Sequence, residues 1–369
     1  MITGLTDRRM VVCCGAGGVG KTTLSAAIGL ALARRGGRVA VVTIDPARRL
    51  ATALGMADLS DTPQRVEHPD VGTGALWALQ LDAKATFDRL IARHAPDEEA
   101  RDRILANRIY RHLSGAVAGS QEYMAVERLH ELVDEGLYDH IVLDTPPAQN
   151  ALDFLDAPER MSRFIEGRAL RLLVRGPKAG RRVLQFGSNT ILSVLERLTG
   201  AQLLRDVADF LAGFDGMYQG FADRAQAVRE MLASEGSAFV VVSAPGNAPL
   251  RQSAALAARL RGDGLPLVGA VLNRVHDLPA GGAPGPAPLV DPLRSAGAAD
   301  PRTLADRVAA CVAEARTRAV HDIESAEALA AHIGDVPLVR VPALADEPSD
   351  LPGLAAIAAA LESGTPSPV

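Results

Sequence analysis

The chain has 369 residues, of which 39 are basic, 44 are acidic and 48% are hydrophobic. This composition supports a large core and excludes wholesale disorder, and no apolar run of about 18 residues predicts a membrane-spanning helix. The net charge of −5 gives no general attraction for nucleic acid. The first residues show no signal-peptide pattern, so we expect a cytoplasmic protein. The three cysteines form no CxxC pair, which excludes a zinc site of that type.

The predicted elements alternate between short apolar strands and longer helices. A strand over 9–14 leads into a glycine-rich turn and an Ala/Leu-rich helix that ends near Gly36, and a second strand covers 38–44. This order is a βαβ unit and implies parallel strands. Further apolar runs predict strands over 76–81, 140–143, 238–243, 267–272 and 336–341.

The long segments between these strands predict a second, helical part. Residues 83–136 and 151–235 show helical periodicity without a strand pattern, so we predict an inserted α-helical subdomain. Residues 277–301 are rich in Pro, Gly and Ala and are predicted to be a flexible surface loop. The remaining core is predicted to be a doubly wound, mostly parallel α/β sheet, formed by residues 1–82, 137–150 and 236–369.

A phosphate-binding motif follows the first strand, where GAGGVGKT matches GxxxxGK[ST] in a strand–loop–helix context. Glycines let backbone N–H groups surround a phosphate, Lys21 supplies a cation to the β- and γ-phosphates, and the Thr22 hydroxyl can bind Mg²⁺. A chance glycine-rich turn is the alternative, and the full motif after a buried strand disfavours it. The candidate ATP-binding residues here are Gly15, Ala16, Gly17, Gly18, Val19, Gly20, Lys21, Thr22 and Thr23.

Two aspartates end predicted strands at the same edge of the sheet. Asp144 ends the run HIVLD, where a carboxylate can hold Mg²⁺ through water beside a nucleotide. Asp45 ends the second strand in TIDPARRL. Either it caps the helix that follows, or it faces the γ-phosphate as a base or water-orienting group.

Three motifs in order, GGVGKTT, IDPARRL and DTPPAQNALDFL, resemble the deviant-Walker-A ATPases of the arsenical-pump (ArsA) and tail-anchored-protein-targeting family. The resemblance extends over nearly the whole chain and is nearest to the bacterial, actinobacterial-like branch of anion-transporting ATPases. It implies a Mg²⁺-dependent ATPase that acts as a dimer. It also implies that Asp45 activates the attacking water with Lys21 on the phosphates, and that Asp144 supports Mg²⁺. Asn273 would bind the adenine edge, with Pro342 against the ring.

The sequence departs from this family at several positions. The signature lysine that reaches across the dimer to the partner's phosphates is Ala16 here, and the switch II histidine is Asn150. Arg48 and Arg49 are candidates to replace the missing cation. The cysteine triad that binds arsenite in the pump ATPase and the CxxC that joins eukaryotic targeting dimers are both absent.

The predicted helical part contains two amphipathic stretches. Residues 203–232 carry an apolar stripe that is either subdomain core or the wall of a groove for an apolar client. Residues 165–182 place arginines beside an apolar face, which permits peripheral contact with anionic lipid; a solvated surface is the alternative.

Two functions are compatible with these patterns. The first is an ATPase whose homodimer opens and closes around an apolar client, such as a membrane-protein segment or a lipid, or around an anion. The second is a nucleotide-gated, weakly hydrolytic subunit that forms a heterodimer with a related, lysine-bearing ATPase chain. A partition-type ATPase shares the P-loop, but the long helical insertions disfavour it.

Overall fold

The fold is taken from a computed structural model. The structure describes residues 1–45, 47–95, 97–107, 110, 120–145, 218–279, 282, 285–344, 348 and 350–363. The first half of the apolar stripe, residues 203–217, and the whole basic stretch over 165–182 lie outside these residues.

Eight strands form one sheet in the order β3-β4-β2-β5-β1-β6-β7-β8. Neighbouring strands are parallel, except that β3 is antiparallel to β4 at the edge. The strands are β1 (Met10–Gly15), β2 (Arg38–Thr43), β3 (Gln64–Val66), β4 (Ala75–Gln80), β5 (His140–Asp144), β6 (Ser237–Ser243), β7 (Leu267–Val275) and β8 (Leu338–Pro342). The predicted α/β class and mostly parallel sheet are confirmed.

Helices cover both faces of the sheet. The α-helices in the described residues are α1 (Lys21–Arg34), α2 (Arg49–Ala53), α3 (Ala83–His94), α4 (Glu98–Ala106), α5 (Ser120–Glu135), α6 (Tyr218–Ala233), α7 (Asn247–Gly262), α8 (Ala287–Ser295), α9 (Pro301–Ile333) and α10 (Leu351–Ser363). Side chains of α1, α2 and α10 pack in one hydrophobic cluster. Those of α3 to α7 and of α9 pack in the other.

The central strand β1 shows why continuous apolar runs in the sequence predicted strands. Met10, Val12 and Cys14 pack in one cluster, while Val11 and Cys13 pack in the opposite one. A strand covered on both faces needs apolar side chains at every position, so its sequence does not alternate. The carboxyl ends of β1, β2, β5 and β7 therefore meet at one edge, beside the start of α1, which is where parallel α/β sheets bind ligands.

The described part of the predicted helical insertion is helical, as α3, α4, α5 and α6 show. Phe87 of α3 and Leu129 of α5 belong to the same buried cluster as the sheet residues Val12 and Leu143. These helices thus share a core with the sheet in the described residues. The division into domains at the predicted boundaries stays a prediction.

The prediction of a flexible loop over 277–301 is wrong for its second half. Ala287–Ser295 forms helix α8, which packs against α9, and α9 begins at Pro301. Proline occupies the first turn of both helices, where its missing N–H has no partner to lose. Pro288 and Pro301, which the sequence pattern assigned to a loop, lie in the first turns of these helices, and Pro292 lies inside α8.

Candidate nucleotide-binding site

The loop between β1 and α1 has the backbone that a phosphate cradle requires. Gly18 and Gly20 have φ values of 77° and 91°, in the left-handed region that favours glycine. A Cβ on Gly15 would collide with the carbonyl oxygen of Val242, and a Cβ on Gly20 would collide with the side-chain amide of Asn273. Glycine at these positions is therefore a steric requirement.

Lys21 begins α1 and is almost fully buried, with 7% of its surface exposed. Its Nζ donates a hydrogen bond to the carbonyl oxygen of Ala16 at 2.9 Å. Burial lowers the pKa of Lys21, and the nearby Asp144 carboxylate opposes that shift. The ammonium is thus held inside the loop, where an anion would replace the solvation that burial removes.

Asp144 lies at the end of β5 with its carboxylate among hydroxyl groups. Its Oδ2 accepts hydrogen bonds from Thr22 Oγ1 at 2.7 Å and from Thr43 Oγ1 at 2.9 Å. Its Oδ1 is buried and has no hydrogen-bond partner among the described residues. Burial raises the pKa of Asp144 to about 6, while the two hydroxyl donors oppose the shift.

These groups fit Mg²⁺. A hard cation prefers carboxylate and hydroxyl oxygens, and an unpartnered buried carboxylate oxygen is costly unless a ligand satisfies it. Because the Thr22 hydroxyl gives its proton to Asp144, its lone pairs face away from that bond and remain able to bind a cation. Thr22 and Asp144 are therefore the residues that could hold the metal.

Asp45 follows β2 and is not the N-cap of α2, which begins at Arg49 after Arg48. Its Oδ1 accepts a hydrogen bond from the Ala47 N–H at 3.0 Å, and its Oδ2 pairs with Arg49 NH1 at 3.2 Å. The alternative that Asp45 caps the following helix is therefore wrong in detail. Its carboxylate accepts from a backbone N–H two residues along the chain, before α2 begins. The same carboxylate lies on the wall of the cleft described next.

A cleft of about 950 Å³ opens along the P-loop. Nine predicted site residues line it: Gly17, Gly18, Gly20, Lys21, Thr22, Thr23, Asp45, Asn273 and Pro342. Ala16, Val19 and Asp144 are at most 3% exposed and lie behind that surface, as does Gly15 in β1. The structure thus brings the predicted residues to one edge of the sheet, in a lining layer and a supporting layer.

Asn273 supports the loop in this structure. Its amide Nδ2 donates to the carbonyl oxygen of Val19 at 2.9 Å, and the side chain is buried. Asn273 also lines the cleft. The contact of this side chain with adenine stays a prediction.

Sequence reasoning missed several residues that line the cleft, among them Arg274 and His276. Arg274 has a φ of 63°, and its NH1 donates to the carbonyl oxygen of Gly18 at 3.1 Å. His276 pairs with Asp322 of α9. The sequence could have indicated both residues. They follow the predicted strand over 267–272, and polar residues at the carboxyl end of a buried parallel strand lie at the ligand-binding edge.

No helix in the described ranges combines the length and the apolar character needed to cross a membrane.

A profile of the ArsA ATPase family, described as anion-transporting ATPases, matches residues 8–280. ATPase ARSA1 of Chlamydomonas reinhardtii is 25% identical over 286 residues, which cover 73% of this chain and 35% of the algal protein. The arsenical pump-driving ATPase of Acidiphilium multivorum is 32% identical over 180 residues, which cover 45% of this chain and 28% of that protein.

ATPase GET3 of Podospora anserina is 27% identical over 158 residues, which cover 43% of this chain and 45% of the fungal protein. Each alignment thus spans less than half of the relative's length. The family profile, in contrast, covers well over half of the 369 residues. On this match, the chain belongs to the family of anion-transporting ATPases.

Proposed function

We propose that the chain binds ATP with Mg²⁺ and hydrolyses it. The observation that carries this proposal is the cluster at the P-loop, where a buried Lys21 lies beside an Asp144 carboxylate that has one unpartnered oxygen. The ammonium of Lys21 suits the phosphates, and the neighbouring carboxylate suits their metal ion. An uncharged ligand would use neither group. The ATPases among the relatives support the same reaction.

Each residue has a role that follows from its position. Lys21 and the backbone N–H groups of the glycine loop would bind the phosphates, and the amino end of α1 adds its positive dipole end. Thr22 and Asp144 would hold Mg²⁺, which supplies charge neutralisation for the developing negative charge. Asp45 would orient the attacking water, and catalysis would consist mainly of positioning and electrostatic stabilisation.

The nucleoside end of ATP would occupy the part of the cleft that Asn273 and Pro342 line. An amide side chain offers both a donor and an acceptor to a purine edge. Pro342 ends β8 and offers an apolar ring beside it.

The finer proposal is that ATP turnover opens and closes a dimer that handles an apolar client, such as a membrane-protein segment or a lipid, or an anion. It rests on the family resemblance, because residues 203–217 of the predicted groove wall over 203–232 lie outside the described part of the chain. The dimer partner is proposed to be a second copy or a related ATPase chain.

The cysteines support a client other than arsenite. Cys13 and Cys14 are buried in β1, and burial raises the pKa of Cys13 to about 12. A buried thiol that resists ionisation is a poor ligand. Cys311 is exposed on α9, so the three cysteines do not gather into a metalloid site.

The test is a lysine substitution with a matched control. We expect Lys21→Ala to abolish ATP binding and turnover, because among the described residues Lys21 is the only lysine that lines the cleft. Lys84→Ala should leave both unchanged, since Lys84 is exposed on α3 and pairs with Asp88. Fluorescent-ATP titration and phosphate-release assays measure the two quantities. Wild-type binding and turnover in Lys21→Ala would contradict the proposal.

A further inference from the structure

The cleft contains an acid–histidine pair that the roles above do not use. His276 lies one residue beyond β7, at the carboxyl edge of the sheet. Its backbone N–H and its ring Nδ1 both lie 2.8 Å from the same atom, Oδ2 of Asp322. Asp322 lies within the long helix α9 and is 4% exposed. One buried carboxylate thus fixes both the backbone and the ring of His276.

The pair determines which ring nitrogen is available. A carboxylate oxygen accepts hydrogen bonds, so the Nδ1 facing Asp322 carries a proton. Nε2 is then the nitrogen left for a ligand, and it makes no hydrogen bond among the described residues. The imidazole is 46% exposed, and the cleft is the space that it borders. A buried carboxylate is costly unless it is paired, so Asp322 holds the ring in one orientation.

The position along the cleft indicates which part of a nucleotide the ring meets. Asn273 and Arg274 bond to the P-loop through the carbonyl oxygens of Val19 and Gly18. The next residue, Val275, pairs with Pro342 of β8 and accepts a hydrogen bond from the Ala343 N–H at 2.9 Å. His276 therefore follows the residue that joins β7 to the end of β8, and it lines the same cleft as Asn273 and Pro342, where the nucleoside is proposed to bind.

We propose that His276, held by Asp322, hydrogen-bonds the nucleoside part of the bound nucleotide through Nε2. The shared chemistry is a hydrogen bond that the Nε2 lone pair accepts, either from an amino group on the edge of a purine base or from a ribose hydroxyl. Asp322 is a positioning residue, and His276 is a specificity-determining residue. The inference rests on the proposed nucleotide binding at the same site.

The experiment measures equilibrium binding of ATP, GTP, 2′-deoxy-ATP and inorganic tripolyphosphate to the full chain. The variants are wild type, His276→Ala and the control His321→Ala, an exposed histidine on α9 that does not line the cleft. We expect His276→Ala to weaken ATP binding about three- to tenfold, the loss typical of one hydrogen bond. Tripolyphosphate affinity should not change, and the control should bind all ligands as the wild type does.

The nucleotide series separates the two sources of the bond. If Nε2 binds the base edge, His276→Ala reduces the preference for ATP over GTP. If it binds the ribose, the difference between ATP and 2′-deoxy-ATP shrinks instead. Asp322→Ala should weaken ATP binding in the same way, and Asp322→Asn should restore it because the amide oxygen still accepts from Nδ1.

The outcomes also separate this inference from the proposed function. No binding of ATP or tripolyphosphate by the wild type would remove the proposed function itself. Unchanged ATP affinity in His276→Ala, with normal tripolyphosphate binding, would overturn only the role of His276. Equal losses for ATP and tripolyphosphate would show that His276 has a structural role, which also overturns the inference.

Discussion

Asp45 has two possible roles, one in the local backbone structure and one in orienting the attacking water. Its carboxylate accepts a backbone hydrogen bond from Ala47 and pairs with Arg49, so it is engaged before any ligand arrives. The Ala47 contact needs only an acceptor oxygen, which an asparagine also supplies. The chemical role in orienting water needs the negative charge. The two roles can therefore be separated by one isosteric substitution.

We expect Asp45→Asn to keep ATP binding and to lose turnover by about a hundredfold or more, the usual contribution of a positioned base. Asp58→Asn is the matched control, because Asp58 makes a comparable exposed pair with Arg48. Fluorescent-ATP titration and phosphate release report the two properties. Turnover by Asp45→Asn at the wild-type rate would assign Asp45 to the turn alone.

Ala16 occupies the position at which the related ATPases have their signature lysine. Its methyl group is 3% exposed and packs in the cluster beneath the loop. Among the described residues, Arg48, Arg49 and Arg274 are the arginines that line the cleft in its place. Arg48 and Arg49 were expected from their position in the sequence. Arg274 was not, because its approach to Gly18 depends on a positive φ that the sequence pattern does not indicate.

At the scale of elements, the loop between β1 and α1 depends on a close approach to β7. Gly20 has a φ of 91°, and any Cβ there would meet the Asn273 side chain. We expect Gly20→Ala to lower the free energy of unfolding by about 1–3 kcal/mol, the range for a strained backbone position, and to weaken ATP binding. Urea denaturation and ATP titration are the measurements.

Gly262→Ala is the control for this substitution. Gly262 ends α7 with open space around it and no positive φ. Alanine there should leave stability unchanged or raise it by about 0.4–1 kcal/mol. Equal effects of the two substitutions would mean that the P-loop conformation does not depend on glycine at position 20.

Elements were predictable from the sequence where burial dictates the composition. Strands covered on both faces need continuous apolar runs, and seven of the eight strands were found that way. The eighth, β3, has only three residues, Gln64–Val66, and lies at the sheet edge, where one polar face is tolerated. Helix α8 was missed because proline at a helix start resembles proline in a loop. The Asp322 to His276 contact joins residues 46 positions apart, which no local pattern reveals.

For the whole molecule, the proposed dimer should depend neither on zinc nor on a disulfide. The sequence has no CxxC pair that could join two copies through zinc, and Cys13 and Cys14 are buried in β1. We therefore expect sedimentation velocity to give the same dimer mass with and without a zinc chelator, and with and without reductant. A monomer that appears only in chelator would contradict this expectation.

The whole molecule places the glycine-rich loop, two strand-end carboxylates and the Asn273 and Pro342 wall of the cleft at one edge of a parallel sheet. This follows from topology, because parallel strands deliver all their carboxyl ends to the same edge. We propose that ATP is hydrolysed at this edge with Mg²⁺ held by Thr22 and Asp144. The charge of Asp144 is the feature on which that claim depends.

The most direct test is phosphate release from ATP with Mg²⁺ and with excess chelator, by the wild type, Asp144→Asn and Asp139→Asn. Asp139 directly precedes β5 and forms an exposed pair with Arg38, so it is the matched control. We expect the wild type and Asp139→Asn to release phosphate only with Mg²⁺. Asp144→Asn should be about 10- to 100-fold slower, as for lost support of a metal. Equal release in chelator, or wild-type release by Asp144→Asn, would contradict the account.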